Sequence, residues 1–96
     1  MRATFNELAE RELNDAARYY DSEQPGLGAA FIAEVERCTA AVIDYPQASP
    51  VVLGAIRRRL CQRFPYAVLY TVAGSEVRIL AVMNLMRRPG YWVGRT

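Results

Sequence analysis

The stretch Arg57-Arg58-Arg59-Leu60-Cys61-Gln62-Arg63 concentrates four guanidinium groups in one short segment. Arginine stays protonated at neutral pH, so it grips phosphate or carboxylate bidentately and stabilises developing negative charge, but it does not take up a proton. Read as an extended strand, period-two alternation puts Arg57, Arg59 and Arg63 on one face and Arg58 on the other. A second group, Asn84-Leu85-Met86-Arg87-Arg88-Pro89-Gly90-Tyr91-Trp92, adds two arginines, an amide and two large aromatics just past the last predicted strand. Segments beyond strand ends often carry functional groups. Arg58, Arg63, Asn84, Arg87, Arg88, Tyr91 and Trp92 are therefore the candidate residues for binding a target or clamping phosphate. Each type has a second use: edge-strand arginine deters pairing with other chains, and Tyr91 and Trp92 also suit a tail pinned by aromatic burial.

What is missing narrows the chemistry. The chain has no histidine and no lysine, which removes the side chains most often used for proton transfer near neutral pH. Cys38 and Cys61 stand apart, with no CxxC and no histidine, so they are expected to be buried small apolar residues rather than metal ligands. No cofactor is implied.

The elements that must hold these groups follow from hydrophobic spacing. Thr4-Phe5-Asn6-Glu7 fits a capping box, with Asn6 as an alternative cap, and Ala9, Leu13, Ala16, Ala17 and Tyr20 then recur at helical intervals. A first helix is expected from about residue 6 to 21, with Glu7, Glu10, Arg11, Asn14, Asp15 and Arg18 on its solvated side. After a break at Ser22 to Gly26, Leu27, Phe31, Val35, Cys38 and Val42 resume the helical period up to Asp44-Tyr45-Pro46. Pro46 to Gly54 reads as a connecting loop. Three strands are expected beyond it, at about Ala55 to Arg63, Tyr66 to Val72 and Glu76 to Met83, with Ala73-Gly74-Ser75 as the hairpin turn between the last two. The run Val77 to Met83 is apolar apart from Arg78 and suits a strand covered on both faces. Met1 to Phe5 has the length to pair as an edge strand. The expected class is α+β: a helical hairpin packed on a small, mainly antiparallel sheet of three to four strands.

The 96 residues suit one domain, and no apolar run reaches membrane-spanning length. Met1 to Glu10 lacks the basic start, apolar centre and cleavage site of a secretory signal, which points to a cytoplasmic protein. Charge is divided along the chain. Residues 1–45 hold nine acids against four arginines, a net −5, while residues 46–96 hold eight arginines against Glu76, a net +7. The basic half is thus where a polyanion or an acidic partner is expected to bind.

Taken together, Ala9, Glu12, Leu13, Ala16, Tyr19 and Tyr20, then Leu27-Gly28 with Phe31, Arg58, Phe64-Pro65-Tyr66, Val68, Tyr70, Ile79-Leu80-Ala81-Val82 and Arg87-x-Pro89-x-x-Trp92 resemble the RelE/ParE toxin superfamily over nearly the whole chain. The resemblance implies the growth-inhibiting toxin half of a bacterial type II toxin-antitoxin pair, neutralised by a cognate antitoxin protein that also handles most direct DNA binding. Members resembling RelE cleave messenger RNA on the ribosome, and members resembling ParE inhibit DNA gyrase. In the nucleases the residue after the equivalent of Tyr66 is commonly a catalytic arginine, and here it is Ala67; where many relatives have histidine at the end of the last strand, this chain has Asn84. A carboxylate, Tyr91 or Cys61 would serve as proton acceptor only with help. These departures favour a ParE-like toxin acting on gyrase by binding. The alternatives are a ribosome-dependent endoribonuclease with Arg58, Arg63 and Arg87 as its phosphate clamp, and a remnant that only binds its antitoxin.

Overall fold

The computed structural model describes residues 1–88 and 90–96. Seven elements follow in order: β1 (Arg2–Phe5), α1 (Glu7–Glu23), α2 (Leu27–Asp44), β2 (Val51–Leu53), β3 (Ile56–Leu60), β4 (Tyr66–Ala73) and β5 (Glu76–Asn84). The strands form one sheet in the order β1-β5-β4-β3-β2, antiparallel except where β1 runs parallel to β5. The helical hairpin lies on one face of this sheet, so the α+β architecture matches the expectation, with five strands instead of three to four. The extra strand is β2. Val51 to Leu53 lies within the segment expected to be loop, and it folds back on β3 through a turn at Gly54, whose φ of 55° suits glycine.

Asn6, rather than Thr4, caps α1. Its side chain accepts from the Leu8 and Ala9 amides, while Thr4 belongs to β1 and donates to Glu76. Gly28 lets the two helices approach, because a Cβ there would lie 2.4 Å from the Ala17 carbonyl oxygen. Asp21 secures the same junction by accepting from the amides of Gly26 and Gly28 at the start of α2, where the helix dipole favours a carboxylate. Between helices and sheet lies the main core, built on Phe31, Val35, Val42, Val68, Tyr70, Val77 and Ile79. Phe31 and Tyr66 meet edge-on with ring centroids 4.8 Å apart.

A β-bulge decides which β5 residues face which way. Leu69 pairs with Ala81 but Tyr70 pairs with Ile79, so Leu80 is an extra residue on β5. Before it, Val77 and Ile79 point to the helices; after it the alternation shifts, Val82 joins the helix-side core and Ala81 and Met83 turn to the opposite face. That opposite face carries only a small cluster of Ala67, Leu69, Ala81, Met83 and Trp92, partly covered by the tail after β5.

Candidate functional site

The alternation of β3 is as expected, but its consequence is reversed. Arg57 pairs with Tyr70 and Arg59 with Val68, both on the helix side, and there Arg57 is structural. Arg57 donates to the carbonyls of Gln47 (3.2 Å) and Ser49 (2.7 Å), and with the Tyr70 hydroxyl bonded to the Pro46 carbonyl it fastens the connection between α2 and β2. Nor is the basic half a free positive patch. Arg95 is bound by Glu12 from α1, and Arg78 donates to Thr4 and to the Thr96 carbonyl.

Arg58, the one arginine of β3 on the other side, opens onto a groove of about 450 Å³ across the open sheet face. Leu69 and Met83 supply its floor from β4 and β5, Val52 and Leu53 one wall from β2, and Leu85, Trp92 and Val93 the other from the tail. Trp92 is 7% exposed, so it is part of the packed base. Arg58 and Arg87 are the charged groups of the lining, and the Arg58 Nε atom is buried without a hydrogen-bond partner among the described residues. An apolar trough flanked by two guanidinium groups is suited to holding an apolar segment that carries negative charge.

Asn84 and Tyr91 do not face this groove. They line a second cleft of about 290 Å³ between α1 and the end of β5, with Glu12, Tyr19, Tyr66 and Arg87. Asn84 accepts the Met86 amide at 2.9 Å and approaches the Tyr66 hydroxyl at 3.4 Å, thereby shaping the turn that leaves β5. The Arg87 guanidinium lies 4.0 Å above the Tyr91 ring and 3.8 Å from Glu12, and Arg95 lies 5.1 Å from the same ring. Glu12 anchors the group, accepting the Val82 amide at 3.1 Å and Arg95 at 2.8 Å. Arg87 is thus shared by both cavities.

Among the possible proton acceptors, Tyr91 is driven up by burial first and by the nearby Glu12 carboxylate second, although no hydrogen bond of good geometry joins them. Cys61 is also driven up, by its bond to Cys38 and by burial. Both shifts favour the protonated form at neutral pH and make these groups poor bases. Arg63 lies apart from Arg58 and Arg87: its guanidinium sits over Phe64 at 5.5 Å, beside the helix-side core, and its amide donates to Glu34. The clamp of Arg58, Arg63 and Arg87 is therefore not assembled in one cavity. Arg88 is exposed, and Pro89 of the Arg87-x-Pro89-x-x-Trp92 pattern lies outside the described residues.

Sequence reasoning named Glu12 in the resemblance but gave it no role. Its position three residues after Ala9 and four before Ala16 sets it beside the buried stripe of α1, which is a legible sign that this carboxylate has a partner. The walls from Val52 and Leu53 were missed because β2 itself was missed.

The family described as the ParE toxin of the type II toxin-antitoxin system, parDE, matches residues 3–88. The chain belongs to the ParE toxin family. Among solved structures, the chromosomal ParDE toxin-antitoxin system from P. aeruginosa is similar in fold, with a TM-score of 0.72 at 17% identity, covering 88% of this chain and 96% of that one. No curated protein sequence matches the chain. The expected likeness to ParE-like members is thus shown by the family match. No helix among the described residues of this ParE-family chain is long and apolar enough to cross a membrane.

Proposed function

We propose that this ParE-family toxin inhibits DNA gyrase by binding, with the groove between Arg58 and Arg87 as its contact surface, and that a cognate antitoxin neutralises it in the cytoplasm. The observation that carries the reading is the composition of the groove. Its lining is apolar or permanently cationic, and such a set binds and orients a partner but offers it no proton acceptor. The raised positions of Tyr91 and Cys61 support the same reading.

Pulse labelling of DNA and protein synthesis within minutes of induction, in a host without antitoxin, tests the target. DNA synthesis is expected to stop first. If protein synthesis stops first, the gyrase reading fails and the arginines belong to a ribonuclease; harmless overexpression would instead indicate a remnant that only binds antitoxin. Replacing Arg87 and Arg88 together with alanine is expected to abolish toxicity and to leave antitoxin binding within about threefold, since these exposed side chains contribute little to folding.

A further inference from the structure

Cys38 and Cys61, 23 positions apart in sequence, meet in space with their sulfurs 3.9 Å apart. Cys38 lies on the inner side of α2 and is 6% exposed; Cys61 directly follows β3 and is half-buried. No disulfide joins them. Beside Cys38 is a cavity of about 70 Å³, also lined by Glu34, Arg37, Arg59 and Gln62, of which Arg37 and Gln62 are exposed at its rim. Since a liquid water occupies roughly 30 Å³, this space admits an oxidant as small as hydrogen peroxide and excludes a bulky disulfide such as glutathione disulfide.

The two thiols are not equivalent. The bond donated by Cys61 is the largest influence on Cys38 and, with the charge of Arg59, holds it below the ordinary thiol range against the effect of burial. The same bond and burial push Cys61 up. Cys38 is the thiol that lines the cavity, and its other close neighbours are the Arg59 and Leu60 carbonyls at 3.9 and 3.7 Å.

We propose that Cys38 and Cys61 form a peroxide-reactive dithiol site that closes to an intramolecular disulfide and locks α2 to the connection following β3. The Cys38 thiolate attacks one oxygen of hydrogen peroxide; the S–O bond forms as the O–O bond breaks, and the departing hydroxide takes the proton that Cys38 released, giving one water. Cys38 is now a sulfenic acid. The Cys61 sulfur then attacks that sulfur, the S–S bond forms, and the hydroxyl leaves with the Cys61 proton as the second water. Two thiols and one peroxide thus yield one disulfide and two waters, with the sulfurs oxidised and the peroxide oxygens reduced. The covalent link would lie beside a non-covalent one already present, in which Glu34 of α2 accepts the amides of Gln62 and Arg63. Both lie on the helix side of the sheet, away from the groove.

The test treats the reduced protein with hydrogen peroxide, with a catalase-quenched control, then denatures it and counts free thiols by maleimide labelling and mass spectrometry. The expected result is loss of both reactive thiols in a monomer lighter by a pair of hydrogens, reversed by dithiothreitol, with the unfolding midpoint raised by roughly 10 °C. In Cys61→Ser, mass spectrometry is expected to find one added oxygen on Cys38, lost again on reduction. The proposal is overturned if both thiols of the wild-type chain still label after treatment, or if only disulfide-linked dimers form, and the wild-type measurement stands even where the variant folds poorly.

Discussion

The two faces of the sheet are made from the same strands and have become different materials. On the helix side, Val68, Tyr70, Val77 and Ile79 interlock with Phe31, Val35 and Val42 in a core whose members are nearly all inaccessible to solvent. On the open side, a much smaller cluster around Leu69, Met83 and Trp92 is only partly roofed, and a groove with Arg58 and Arg87 remains. One face holds the fold together around a filled core, with its cavities only at the margins. The other leaves room because it contributes less to holding the fold. Side chains one residue apart on β4 therefore lie in different surroundings, and substitutions on the two faces should separate stability from activity.

The largest stability effect is expected at the centre of the helix side. Phe31→Ala removes a ring that is fully buried among Tyr20, Phe64 and Tyr66, and it should lower unfolding free energy by about 3 to 5 kcal/mol in urea titrations. Against a typical total of about 5 to 15 kcal/mol, this is a large share of the stability. A loss under about 1 kcal/mol would remove the contrast between the faces. Next comes Glu12→Gln, which tests how the tail is held. The Glu12 and Arg95 side chains are 15% and 12% exposed, so removing the carboxylate charge leaves a guanidinium short of its partner in a poorly solvated place. A loss of about 2 to 3 kcal/mol is expected, together with greater amide exchange across Tyr91 to Arg95, read by hydrogen–deuterium exchange.

These contrasts also mark what could be read from the sequence. The helices were legible because Leu27, Phe31, Val35, Cys38 and Val42 follow one strict period, and β4 because Tyr66, Val68, Tyr70 and Val72 follow another. β2 was not legible. It is only three residues long, lies between two prolines and Gly54, and its residues are all exposed, so no buried face imposed an alternation. The β5 bulge was hidden for the opposite reason: nearly every residue there is apolar, and a continuous apolar run shows no phase. For the site, Arg58, Arg87 and Trp92 were found and do share a groove, but Asn84 and Tyr91 belong to the neighbouring cleft, and Arg63 keeps company with Phe64. Separating them required the turn after β5, whose direction depends on contacts with Glu12 some 70 residues earlier. The meeting of Cys38 and Cys61 was equally invisible, since it depends on how α2 lies across β3.

A smaller effect, with a defined pH dependence, is expected at Glu34 on the helix side. The hydrogen bond from Arg37 is the leading cause that holds its carboxyl below the usual carboxylate range, followed by the Gln62 amide and opposed by burial. A folded-state value below the unfolded one means that the contribution is fully present above about pH 4.5 and is lost as pH falls through the depressed value. Glu34→Gln should therefore cost about 2 kcal/mol at pH 7, and the stabilities of variant and wild type should draw together as the pH falls below about 4.5. Parallel curves over that range would show that the clasp on Gln62 and Arg63 does not depend on charge.

The smallest stability change, and the sharpest test of the open face, is expected from Arg58→Ala. Arg58 pairs through its backbone with Leu69, and alanine preserves that ladder. The Nε atom is already buried without a partner, so truncation removes an unsatisfied donor as well as the aliphatic stem, and these changes oppose each other. The net change in unfolding free energy should stay within about 1 kcal/mol. Function should respond differently, because the groove would keep its apolar floor and lose one of the two cations in its lining. A loss of at least tenfold in growth inhibition at equal protein level is expected, corresponding to about 1.4 kcal/mol of binding. If the variant remains fully toxic but unfolds much more easily, Arg58 is a structural residue, and the open face is a thinner version of the helix side rather than a separate functional surface.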